Sequence, residues 1–213
     1  MLTPNTLTPQ VKYTLQTTIR RVIYLAFMSL VVLLLWKLAD IYKSALILED
    51  GAVEIAQFGL CLLTAVCFAL QTISNQKQRP LLLLLAALAL AAAIREQDAW
   101  CEQHIPYVSW YFCWIFPVAA IVNMYCKRAF GSILHFLQSG SFNMMFTAMV
   151  IIIPVAQLLG HRSFLVDLMN TPDLNSTLLR RVIEEPVELM GYLQLLLASI
   201  EFYIEHLKAD KQA

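Results

Sequence analysis

The chain has 213 residues, 59% of them apolar and only 14% charged, with a mean hydropathy of +0.65 and a formal net charge of zero. A water-soluble domain of this length cannot hide that much apolar surface, so the composition excludes one. No basic excess points to nucleic acid as a partner, and no acidic tail of a solvating kind is present.

Taken in chain order, six stretches have the length needed to cross ~30 Å of hydrocarbon, roughly 20 residues of helix each. They run Val22–Tyr42, Ala52–Ile73, Pro80–Trp100, Tyr107–Cys126, Phe142–Gly160 and Ile183–Ile204. The third is the plainest, because Leu81–Ile94 carries no polar side chain. Apolar residues run continuously instead of alternating, which predicts helices and not barrel strands. Trp36, Tyr42, Trp100, Tyr107, Trp110, Tyr111 and Tyr125 fall near the expected helix ends, where an interfacial aromatic belt belongs. Arg20 and Arg21 ahead of an apolar run also fit a signal peptide, but Lys37 and Asp40 stand where a small-x-small cleavage site should be. Two connections are long enough for structure of their own. Lys127–Ser141 carries an apolar patch (Ile133, Leu134, Phe136, Leu137) suited to a membrane surface, and His161–Arg181 contains Thr171-Pro172-Asp173, a helix start with proline in the first turn. The five cysteines are scattered, odd in number and without a C-x-x-C pair, and read as small apolar fillers.

The expected fold is an all-α membrane protein, a six-transmembrane-helix bundle in one domain. Residues 1–21 form a cytoplasmic N-terminal segment, 22–206 the transmembrane domain and 207–213 a cytoplasmic tail. Six crossings put both termini on one side, and that side carries nine Lys and Arg against six on the other, which assigns the termini to the cytoplasm. The acids divide more sharply: twelve of fifteen belong to the outer half.

Several of these acids lie in helices and not in loops. Glu54 follows Asp50 at i,i+4 on one helical face, a spacing at which like charges repel unless compensated. Arg95 is the expected counter-charge, since it follows fourteen unbroken apolar residues and an ionisable group at such depth must snorkel or pair. Asp98 at i+3 offers a local partner for Arg95, while Glu96 points elsewhere. On the last segment Arg180 to Glu184 and Arg181 to Glu185 are i,i+4 pairs, which leaves Glu188 over; Pro186 either starts this helix or kinks it. The candidate polar site is therefore Asp50, Glu54, Arg95, Asp98, Glu185 and Glu188, with His104 and His161 in adjoining loops. Three readings stay open: a salt-bridged network that orients helices, a pocket for a proton, cation or small cationic solute, and a carboxylate centre for a divalent cation such as Mg²⁺, Mn²⁺ or Ca²⁺. Zinc is disfavoured, because only two of the four histidines are on this side and no H-x-x-x-H pair exists. Lower on the last segment, Glu201 and Glu205 form a second acidic pair, expected to snorkel, to bond a neighbouring helix or to serve a proton path. There is no nucleophile elbow, phosphate-cradling glycine loop or G-x-x-x-G contact. Glu184-Glu185 lacks the downstream arginine and histidines of an intramembrane protease. Asn175-Ser176-Thr177 is a sequon.

The motifs Glu49-Asp50-Gly51-Ala52-Val53-Glu54, Arg95-Glu96-Gln97-Asp98 and Glu184-Glu185-Pro186-Val187-Glu188-Leu189 resemble those of a group of multi-pass bacterial inner-membrane proteins of unassigned activity. The resemblance implies a bacterial inner membrane and carries no functional residue over. The residues themselves lead to an outward-facing acidic pocket with Arg95 as internal counter-charge, serving a cation or small cationic solute. The alternatives are a metal-dependent membrane-embedded hydrolase and a scaffold or complex subunit. The lipid bilayer is the expected partner, with a proton or small cation at the site, and the oligomeric state is left open.

Overall fold

The computed structural model describes residues 8–42, 51–97, 101, 110–161 and 176–210. They fall in two compact units, Met1–Lys43 and Ser44–Ala213. All regular elements among the described residues are helical.

The first unit is one helix, α1 (Pro9–Tyr42), which starts on a proline whose missing N–H costs nothing at that position. It continues without a break through Arg20 and Arg21, so the segment expected to precede the first crossing is itself helical from Pro9. Polar side chains in its body turn back on the helix: the Thr18 and Ser29 hydroxyls donate to the carbonyls of Thr14 and Leu25. Leu25, Leu30, Leu33, Leu34 and Trp36 are all exposed, an apolar surface on every side of the rod.

The second unit begins with α2 (Ala52–Ser74) and α3 (Arg79–Glu96), packed against each other. Between them Asn75 accepts the Gln78 N–H at 3.2 Å and caps a 3₁₀ turn, and Pro80 occupies the first turn of α3. A 3₁₀ stretch, Trp110–Trp114, leads into α4 (Ile115–Cys126), which lies on α3. Pro117 has no N–H for the carbonyl four residues back, so the α-helical ladder can start only with Pro117 in its first turn. The segment is therefore a shorter apolar helix than the expected Tyr107–Cys126, of which 107–109 lie outside the described residues. Its reach is nonetheless that of α3: five residues rising at ~2.0 Å and twelve at ~1.5 Å span about 28 Å, against about 27 Å for the eighteen of α3. Five helices meet the length and hydropathy of a membrane span: Val11–Tyr42, Ala52–Ser74, Gln76–Glu96, Gly140–Leu159 and Arg181–Leu207.

After a short amphipathic helix, α5 (Phe130–Leu137), the chain enters α6 (Gly140–Val150), capped by Ser139, whose hydroxyl accepts the Phe142 N–H at 3.0 Å. The apolar patch expected here splits: Phe136 is buried in the core while Leu134 and Leu137 are exposed. Pro154 interrupts the next ladder, and Ile151–Val155 takes up a π-helical turn before α7 (Ala156–Leu159). The last helix, α8 (Ser176–Asp210), is 35 residues long and carries Pro186 inside it, with Ser176–Glu185 already helical ahead of the proline. The start expected at Thr171-Pro172-Asp173 lies outside the described residues.

Helix α8 is the axis of this unit. It packs on α6, α7 and the π turn along one side and on α2 along another, with α3 beyond α2. The core joins Phe68 of α2, Leu82 and Leu85 of α3, Phe136, Met145 and Phe202. On α2 the buried stripe is the polar one: Gln57, Thr64, Gln71 and Thr72 face inward, while Ile55, Leu63, Val66, Leu70 and Ile73 face out. That inversion is what a bundle solvated by hydrocarbon requires, because apolar side chains gain nothing by leaving it. Close approach of backbones supplies the packing instead. A Cβ built on Gly191 would overlap Ile152 of the π turn and come within 3.3 Å of the Ala148 carbonyl oxygen. Gly191→Ala is expected to destabilise the fold by about 1–3 kcal/mol, measured as a lowered unfolding midpoint in detergent, and Ile152→Ala added to it should restore part of the loss.

Candidate carboxylate and carboxamide site

The acids of α8 enter the bundle near the start of α2 and the end of α3. Glu184 and Glu188 are one turn apart on one face of α8 and both buried; Glu185, a residue on, points about 100° away. A buried carboxylate is costly unless donors reach it, and here they come from other helices. The Gln157 carboxamide of α7 donates to Glu184 at 2.9 Å and to Glu188 at 3.0 Å. The fully buried Gln57 of α2 donates to both the backbone carbonyl and the carboxylate of Glu185, each at 2.9 Å. Tyr192, two turns below Glu185, donates its phenol to Glu96 of α3 at 2.6 Å, and both side chains are buried.

Arg95 meets Glu188 at 3.8 Å, with its own side chain 43% exposed and that of Glu188 only 6%. The pairing of Arg95 with this cluster agrees with expectation, but the roles of α3's last two residues are exchanged. Arg95 lies toward the outside and it is Glu96, expected to point elsewhere, that is buried inside the bundle. The charges of Arg95, Glu185 and Glu54 are felt at Glu96, and those of Arg95, Glu96, Glu184 and Glu185 at Glu188, so these groups form one electrostatic cluster. Of the expected site, Glu54, Arg95, Glu185 and Glu188 are thus near one another; Asp50 and Asp98 lie outside the described residues. The members the sequence reading missed are Glu96, Glu184, Gln57, Gln157 and Tyr192. A signal for Gln57 existed, since it is the polar residue on a stripe with Val53, Cys61, Thr64 and Phe68 at helical spacing.

Two further details define the place. The Gln57 carbonyl oxygen is buried and accepts no hydrogen bond from the protein, although the amide nitrogen on the same carbon is fully used. Gly160 leaves room for Glu184, whose carboxylate occupies the space that a Cβ at 160 would fill. Below the cluster an apolar cavity of about 220 Å³ runs between α3, α4, α6 and α8, with Arg95 and Tyr192 in its wall. Among the described residues no three His, Cys, Asp or Glu side chains converge as metal ligands.

At the other end of the bundle Glu201 is only 1% exposed, so it does not snorkel to an aqueous face. Glu205 instead accepts the Ser141 hydroxyl of α6 at 2.9 Å, Gln71 of α2 donates to the Ser199 carbonyl at 3.1 Å, and His206 bonds Gln78. Comparison with protein-family models, curated proteins and solved structures yields no match for this chain.

The phenol of Tyr192 is the hydrogen-bond donor from α8 to buried Glu96. Tyr192→Phe is expected to lower stability by about 1–3 kcal/mol, as an acceptor left buried without its donor does. Adding Glu96→Leu should cost less than the sum of the two single changes, because both partners are then gone; thermal unfolding of the four variants in detergent measures this cycle.

Proposed function

We propose that the chain is a six-crossing integral membrane protein that binds a small monovalent cation or proton at the carboxylate cluster, with transport of that ion as its role. One observation carries the reading: the buried Gln57 carbonyl, without a donor from the protein, beside a cluster whose carboxylates outnumber its guanidinium groups. Glu54, Glu96, Glu184, Glu185 and Glu188 stand at this end against Arg95 and Arg181. Negative charge in excess within a low-dielectric bundle calls for a cation or protons, and a neutral amide oxygen is the acceptor such an ion needs beside carboxylates. The matching reach of Trp110–Cys126 and α3 supports the sixth crossing. The lysine and arginine count supports cytoplasmic termini, and the three acidic motifs support a bacterial inner membrane.

A second reading has its own support. Each of Glu96, Glu184, Glu185 and Glu188 takes a donor from another helix, which is what a network that only orients helices would show. The hydrolase alternative would need the same carboxylates to converge on a divalent ion, and the described residues hold no such triad.

Unfolding of the purified protein in detergent, followed across pH and with Na⁺, K⁺, ammonium, Mg²⁺ or Ca²⁺, separates these readings. A monovalent cation at ten times its Kd should stabilise by about 1.4 kcal/mol, and Gln57→Leu and Glu188→Gln should each abolish that gain. For a site that takes protons, the stability of the wild type should vary with pH and Glu188→Gln should flatten the profile. Indifference to every cation and to pH would sink the binding reading and leave the orienting network. Stabilisation by Mg²⁺ or Ca²⁺ alone would favour the metal-dependent alternative.

A further inference from the structure

The opposite end of the second unit holds a different cavity, of about 750 Å³, with a chemistry the acidic site does not use. Four cationic side chains line it: Lys77 and Arg79 where the 3₁₀ turn enters α3, and Lys127 and Arg128 where α4 ends. Asn123 and Ser132 add neutral polar groups, and no acid is in the lining. None of the four cations forms an ion pair among the described residues.

Local electrostatics makes two of these positions unfavourable unless an anion is bound. Lys77 and Arg79 stand at the start of α3, where the helix dipole is positive, and the first turn of that helix holds no acidic residue to offset them. Arg128 is in a worse place conformationally. The end of α4 is a Schellman turn: the Arg128 N–H bonds the Tyr125 carbonyl at 3.0 Å and the Ala129 N–H bonds the Met124 carbonyl at 3.1 Å. The residue between them must be left-handed, and Arg128 has φ 52° where glycine is the residue of choice. Among the described residues it is the one non-glycine with positive φ. A guanidinium is thus kept at a position where glycine would fold with less strain, and strain of that sort gathers at ligand sites.

The surroundings identify the anion. Leu83 and Asn123 line both this cavity and a second groove of about 530 Å³ that continues up the outside of α2, α3 and α4. That groove is floored by small and apolar side chains, among them Ala65, Ala69, Ala86, Ala87 and Ala120. On the cavity's other flank, α5 exposes Phe130, Leu134 and Leu137 at helical spacing, and Tyr125 stacks edge-on with Phe130. A cationic pocket that opens into an apolar groove, beside an exposed apolar helix edge, matches a phosphate on a diacyl lipid better than a free phosphate.

We propose that this cavity is a binding site for an anionic phospholipid, with the headgroup phosphate held by Lys77, Arg79, Lys127 and Arg128 and one acyl chain along the groove between α2, α3 and α4. The proposal rests on the reading of the chain as a membrane protein and is independent of the cation site.

The full chain, extracted in a neutral detergent, is titrated with phosphatidylglycerol, with phosphatidylcholine and with inorganic phosphate, while the unfolding midpoint is followed. Phosphatidylglycerol should raise the midpoint, and phosphatidylcholine and inorganic phosphate should not. Arg79→Gln and Lys127→Gln should each weaken phosphatidylglycerol about fivefold, the equivalent of about 1 kcal/mol per basic side chain near an anionic surface. Arg128→Gly is the decisive variant: without lipid its midpoint should equal or exceed that of the wild type, while its response to phosphatidylglycerol falls about fivefold. Ala87→Trp, which fills the groove and leaves the cations in place, should also abolish the lipid response. Equal stabilisation by phosphatidylcholine, or an unchanged lipid response in Arg128→Gly, would overturn the site. Stabilisation by inorganic phosphate alone would replace the lipid with a soluble anion, and a response that Ala87→Trp leaves intact would remove the acyl chain from the groove. Should the chain leave the membrane fraction without detergent, the membrane reading itself has failed.

Discussion

The constraint on which the second unit depends is that α8 carries carboxylates into a bundle with no water to solvate them. An ionised group buried among apolar side chains destabilises the fold unless donors converge on it. Those donors come from α2, α7 and α3 in the form of Gln57, Gln157 and the Arg95 guanidinium, while α8 itself sends Tyr192 to Glu96. Satisfying these groups specifies which helices neighbour α8 and at what depth. Apolar burial could not do so in hydrocarbon, where leucine toward lipid and leucine toward a neighbour are nearly equivalent.

The glutamines also explain two backbone irregularities. The π turn at Pro154 inserts an extra residue per turn and rotates everything after it, so Ala148, Ile152 and Ala156 face inward while Gln157 reaches two carboxylates of α8. Pro186 lies between Glu185 and Glu188 on α8, where the missing N–H leaves one carbonyl of the preceding turn without its helical donor. Both prolines sit within a turn or so of the carboxylates, and their tolerance there follows from the polar partners at hand. At the other end, Glu205 with Ser141, Gln71 with Ser199 and Gln78 with His206 repeat the device. Polar contacts therefore join the helices at both ends, with close-packed small residues such as Gly191 and Ala198 along α8 between them.

The two ends differ in charge in a way that orders the functional readings. Carboxylates buried within the helical bundle face a shortage of cations, whereas the cavity beyond the start of α3 gathers cations without acids. The first is an interior site, whose occupant must be small enough to sit between helices. The second opens outward toward an apolar groove, where a larger amphipathic anion fits. Placing opposite charges at opposite ends of one bundle also gives it an electrical polarity, which is the asymmetry that orientation in a bilayer depends on.

The helical class, the number of long apolar segments and the clustering of acids at one end were legible in the sequence, because span length and hydropathy are local properties of consecutive residues. The last helix illustrates the limit. That Glu184, Glu185 and Glu188 lie close together followed from their numbering, but which helix answers each of them depended on the rotation of α2 and α7 about their own axes. Arg95 and Glu96 are adjacent in the chain, and only the tilt of α3 against α8 decided that the glutamate goes in and the arginine stays toward the outside. The reduced α-helical length of the fourth segment was likewise hidden, since Pro117 reads as one apolar residue among others until its missing N–H is placed in a ladder. Residue type and spacing determined what this protein is made of and the environment it suits. The direction each polar side chain faces was decided by tertiary packing, because helices that share the same outward apolar surface are told apart only by the hydrogen bonds and close contacts they make with one another.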